Sequence, residues 1–122
     1  MMYLLDTNIC IYIINKRPEK VVKRIKKLKP SQIKISAISL GELEYGVSKS
    51  KSRDQNRNAL MDFVSAFDIV DFNGDDAEVY GLIRADLERR GQIIGAYDMQ
   101  IAAQAMTRDL IVVTNNTGEF SR

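Results

Sequence analysis

Short apolar runs alternate with stretches of helical periodicity along the whole chain, and that alternation leaves few folds open. Strands are expected at residues 2–5, 33–38, 68–72 and 110–114. Helices are expected at 8–15, 18–28, 39–50, 60–67, 77–90 and 97–108, with a turn in the polar stretch 49–58. Pro18 suits a first helical position, Val21, Val22, Ile25 and Leu28 share one face of the helix it opens, and Pro30-Ser31 ends it. Val79, Leu82, Ile83 and Leu87 recur at helical spacing, and Gly91 stops that helix. Strands separated by helices predict an α/β fold, a central parallel sheet with helices on both faces. The 122 residues suit one domain spanning 1–122, and no repeat or linker divides them.

Composition matters mainly through what it excludes. The chain has no histidine and a single cysteine, Cys10. That removes the usual neutral-pH proton shuttle, histidine-ligated metals, zinc fingers and iron–sulfur clusters. There is no glycine-rich phosphate loop. The longest apolar run, residues 9–14, is too short to span a membrane, and the N-terminus lacks a secretory pattern. A cytoplasmic protein is expected. Any chemistry falls to carboxylates.

Three acids occupy comparable settings. Asp6 ends the run Met2-Tyr3-Leu4-Leu5, Glu42 follows the second strand by a helical turn, and Asp98 opens the last helix. Each has a plain structural explanation: Asp6 and Asp98 as helix N-caps, and Glu42 in a capping box begun by Ser39. A parallel sheet, however, gathers residues beyond the carboxyl ends of its strands. Two like charges 4 Å apart cost roughly 4 kcal/mol at an effective dielectric near 20, so acids sharing that edge call for a hard cation. Capping does not require the shared edge; a metal site does.

Charge is divided along the chain. Residues 1–61 carry a net +8 and residues 62–122 a net −6. Lys23, Lys26 and Lys27 belong to a basic run that reads either as a solvated helix face or as a phosphate-contacting surface.

The segments Leu-Leu-Asp6-Thr-Asn8, Ile-Ser-Leu-Gly-Glu42-Leu-Glu-Tyr-Gly46, Gly91-Gln-Ile-Ile-Gly95-Ala-Tyr-Asp98-Met-Gln-Ile-Ala102 and Val-Thr114-Asn-Asn116-Thr-Gly-Glu119-Phe120 together resemble a PIN-domain ribonuclease of the VapC toxin type. The resemblance covers essentially the whole chain. It implies a PIN-like fold and a Mg²⁺-dependent endoribonuclease toxin (Mn²⁺ as substitute), acting on RNA such as tRNA and restrained by a VapB-type antitoxin. By the same resemblance Asp6, Glu42 and Asp98 bind the metal, and Asn116 stands where relatives usually carry a fourth acid. Asn8 and Thr114 orient the acids or a water, Glu119 lies near the site, and the chain forms a homodimer. Relatives usually continue into a final short strand past the point where this chain ends at Arg122. The apolar faces of the first two helices serve either as core or as a groove for a partner helix.

Two other readings compete. A catalytically silent PIN-like scaffold would bind RNA or protein only, as the loss of charge at Asn116 allows. A Mg²⁺-binding phospho-acceptor receiver domain has a similar architecture, but no acidic pair follows the first strand and no lysine follows the last.

Overall fold

The computed structural model describes residues 1–114. β1 (Tyr3–Leu5), β2 (Ile33–Ser36), β3 (Asp68–Val70) and β4 (Ile111–Val113) form one sheet in the order β3-β2-β1-β4, parallel throughout. The connections are α1 (Thr7–Asn15) and α2 (Glu19–Lys26) between β1 and β2, α3 (Ala37–Lys49) and α4 (Arg53–Val64) before β3, and α5 (Gly74–Arg89) and α6 (Ala96–Arg108) before β4.

The unbroken apolar run of β1 follows from its central place. Side chains alternate across a strand. Leu5 joins Ile9, Cys10, Ile25, Ile33, Ile35, Leu43 and Leu60 on one face, while Leu4 joins Val70, Ile101 and Ala105 on the other. Both leucines are fully buried. The apolar faces of α1 and α2 therefore contribute to the core, where Ile9, Cys10, Val22 and Ile25 are buried.

Several expected boundaries move for local reasons. β2 ends at Ser36 instead of residue 38, because the Ser36 hydroxyl accepts from the Ile38 amide at 3.0 Å and starts α3 early. α4 begins at Arg53, not residue 60. Its first turns are polar on every side, and Leu60 is its one buried residue. Arg57 secures it to α3 through an ion pair with Glu44 at 2.7 Å. β4 is an edge strand of the described sheet, not a buried one.

α5 corrects the periodicity reading most clearly. Leu82 is 66% exposed, and the inward stripe is Asp76, Tyr80, Ile83 and Leu87. Asp76 begins this stripe as a fully buried carboxylate. Arg108 of α6 donates to both its oxygens, at 2.6 and 3.0 Å, and the amide of Asn73 donates at 2.9 Å. A second polar clasp holds α6 to the sheet. The hydroxyl of Ser36 donates to Gln104 Oε1, and Gln104 Nε2 donates to the carbonyls of Val70 and Asp71 at 3.1 and 3.0 Å. These bonds tie α6, and with it Asp98, to the carboxyl ends of β2 and β3.

Candidate functional site

The strand order turns at β1: the chain proceeds to β2 and β3 on one side and returns to β4 on the other. Ligand sites of open α/β sheets lie at such switch points. Asp6 follows β1 there, and Thr114 follows β4. The Asp6 amide donates to the Val113 carbonyl at 3.1 Å, continuing the ladder one residue beyond the strand.

Asp6 caps α1, accepting from the Ile9 amide at 2.9 Å. Its other oxygen accepts from the Thr114 hydroxyl. It is only 2% exposed. Burial pushes its carboxyl up, and the bonds from Thr114 and from the Ile9 and Asn8 amides oppose this only in part. A carboxylate that is capped yet still destabilised by burial benefits from a nearby cation.

Glu42 lies on the sixth residue of α3, since that helix starts at Ala37. It is therefore not part of a capping box. Instead Thr7 Oγ1 donates to Glu42 Oε1 at 2.8 Å and stands 3.1 Å from the buried Ser39 hydroxyl. Asp98 is the third residue of α6, whose N-cap is Gly95, so it too is no N-cap. It is half-buried.

Asp6, Glu42 and Asp98 line one pocket of about 350 Å³ together with Thr7, Asn8, Gly95, Ala96 and Tyr97. None of these lining residues is cationic. Among the described residues, no three acidic or cysteine side chains converge closely enough to cage an ion unaided. Carboxylate oxygens are the donor type that a hard, partly hydrated cation such as Mg²⁺ takes, through one or two carboxylates and several waters. The arrangement does not fit a closed three-carboxylate cage.

Thr114 touches Asp6 directly, and Asn8 lines the pocket. Asn116 and Glu119 lie outside the described residues. Lys23, Lys26 and Lys27 are exposed on and just after α2. Lys23 and Lys26 border a separate hollow with Ile13, Lys16, Glu19, Val22 and Ile25, which shares no residue with the acid pocket. Among the described residues no helix is long and apolar enough to cross a membrane.

The role of Thr7 escaped the sequence reading, because a hydroxyl carries no periodic signature, and Ser39 entered it only as the start of a capping box that does not form. A hydrogen bond to a charged group contributes about 1.5–3 kcal/mol. Thr7→Val therefore should lower turnover roughly tenfold or more by freeing Glu42, with the melting temperature lowered by several degrees, while Thr7→Ser, which keeps the hydroxyl, should retain turnover. Unaltered turnover would show that Glu42 needs no such support.

The PIN domain family model matches residues 3–122. The chain is 46% identical over 123 residues to Ribonuclease VapC2 of Rickettsia felis, covering 100% of this chain and 92% of that protein. It is 42% identical over 122 residues to the tRNA(fMet)-specific endonuclease VapC of Shigella flexneri, with the same coverage. The solved structure of DNA-bound VapBC from Salmonella typhimurium superposes with a TM-score of 0.92 at 39% identity, covering 100% of this chain and 92% of that one.

Proposed function

The chain belongs to the PIN-domain family, among the ribonucleases of the VapC type, and from that premise we propose that it is a metal-dependent endoribonuclease toxin whose site is Asp6, Glu42 and Asp98. The observation that carries this reading is their convergence, from three separate elements, on one pocket. Mg²⁺ bound there would lower the pKa of a coordinated water and offset charge on the phosphoryl oxygens. Asp6 has both oxygens engaged by Ile9 and Thr114, which suits it to holding the ion. Glu42 and Asp98 are the candidates to accept the proton of the attacking water. Thr7 fixes the orientation of Glu42. Attack by water forms a new P–O bond and breaks the bond to the 3′ oxygen, which leaves with a proton. The products then carry a 5′-phosphate and a 3′-hydroxyl.

The relative from Shigella flexneri is named for tRNA(fMet), which supports tRNA as the substrate class. The Salmonella typhimurium structure is a VapBC assembly, which supports a VapB-type antitoxin as the partner. Total tRNA incubated with the purified protein should yield discrete fragments with Mg²⁺ and none with EDTA. Retention of tRNA without cleavage would instead identify a silent scaffold.

A further inference from the structure

A second groove opens directly from the acid pocket. It has a volume of about 830 Å³ and shares Thr7, Asn8, Glu42 and Tyr97 with that pocket. Beyond the shared residues lie Tyr45, Lys49 and the side-chain-free Gly41 and Gly46. A Cβ at either glycine would meet nothing within 4 Å, so the wall along this side of α3 is open. Tyr45 and Tyr97 are 65% and 56% exposed. The Lys49 ammonium stands 4.9 Å from the centroid of the Tyr45 ring, a cation–π distance.

We infer that this groove holds the unpaired nucleotides flanking the scissile phosphate, with Tyr45 and Tyr97 as stacking surfaces for their bases. Single-stranded nucleic acid is held by flat aromatic rings beside a cation, because every base has a π-face and every linkage a negative charge. Both kinds of group occur here, continuous with the carboxylates that would face the cleaved bond. A duplex offers no free base faces to such rings, so the groove selects loops or ends. Lys49 has a double part: it stands against the Tyr45 ring and brings positive charge to the groove. Tyr45 and Tyr97 are positioning residues, and the inference rests on the ribonuclease reading above.

The probe is a short single-stranded RNA in which 2-aminopurine replaces adenine, mixed with protein and Mg²⁺ in a stopped-flow before cleavage. Stacking quenches its fluorescence. The parent protein, Tyr45→Phe and Tyr97→Phe should quench it with matching affinity. Tyr45→Leu and Tyr97→Leu should each bind roughly 5- to 100-fold more weakly, the loss expected for one stacked base. Gln at the same positions should behave like Leu, and thermal transitions should not move because both rings are exposed. Leu variants that quench like the parent would overturn the stacking role while leaving the nuclease intact. Phe variants as weak as Leu would assign the effect to the hydroxyls and overturn it equally. A changed oligomeric state in the Leu variants, with RNA binding preserved, would make this face a contact between copies of the chain. A parent protein that cleaves no RNA would instead overturn the nuclease reading itself.

Discussion

Asp6→Asn, Glu42→Gln and Asp98→Asn should each lower RNA cleavage on the order of 10²–10³-fold, the scale seen when one preorganised electrostatic group is removed from a reaction centre. The folded state should survive all three. Asparagine caps a helix as well as aspartate does, so the 2.9 Å bond from the Ile9 amide persists in Asp6→Asn. The stability effect there has a definite sign. Burial raises the Asp6 carboxyl above its ordinary range. A raised folded-state pKa contributes stability only below the unfolded value, and loses it as pH rises through the folded value. Above that folded value the charged Asp6 is a burden, and there Asp6→Asn should melt at the same temperature as the parent or higher. An inactive variant that melts far lower would return Asp6 to a purely structural role. Gains in stability with loss of activity mark a site that sacrifices stability for chemistry.

The second large effect lies away from the site. Arg108→Met should destabilise the protein by about 3–5 kcal/mol, because it leaves the fully buried Asp76 carboxylate without its charged partner. A domain of this size has only about 5–15 kcal/mol in total. Urea unfolding measures it directly. The double variant Asp76→Leu with Arg108→Met should regain much of the loss, since burying neither charge is less costly than burying one. Acid adds a check of sign. Burial pushes the Asp76 carboxyl up, but the hydrogen bonds from Arg108, Thr107 and the Asn73 backbone, with the Arg108 charge, outweigh it and leave it lowered. That stability is complete above the unfolded value, about 3.9 for aspartate, and disappears as pH falls through the lower folded one. In Arg108→Met the desolvation remains and the main opposing bond is gone. Its stability should then fall less steeply with acid than the parent's, since only the bonds from Thr107 and Asn73 still lower the carboxyl. Parallel pH profiles in parent and variant would contradict this assignment.

What could be read from the residues alone was whatever rests on periodicity and on apolar burial. β1 was legible because a run buried on both faces has no polar member. The convergence of Asp6, Glu42 and Asp98 was legible because a parallel sheet gathers its strand ends at one edge. The clasps were not. Asp76, Gln104 and Arg108 are polar residues on inward faces, and a pattern that equates apolar with buried assigns them to solvent. That error placed Leu82 in the core of α5, where Asp76 belongs to the inward stripe. The start of α4 was missed for the opposite reason: a polar helix with one buried residue looks like a loop. The support of Glu42 by Thr7 depends on the angle between α1 and α3, which no local sequence pattern encodes.

Titrating Mn²⁺ into the protein, with free ion followed by electron paramagnetic resonance, goes straight to whether these acids serve a metal. The parent should sequester the ion, and Asp6→Asn, Glu42→Gln and Asp98→Asn should each weaken binding by roughly 10- to 100-fold, whether the group ligates directly or through a bound water. Mn²⁺ held equally well after all three substitutions are combined would contradict a metal site at this end of the sheet.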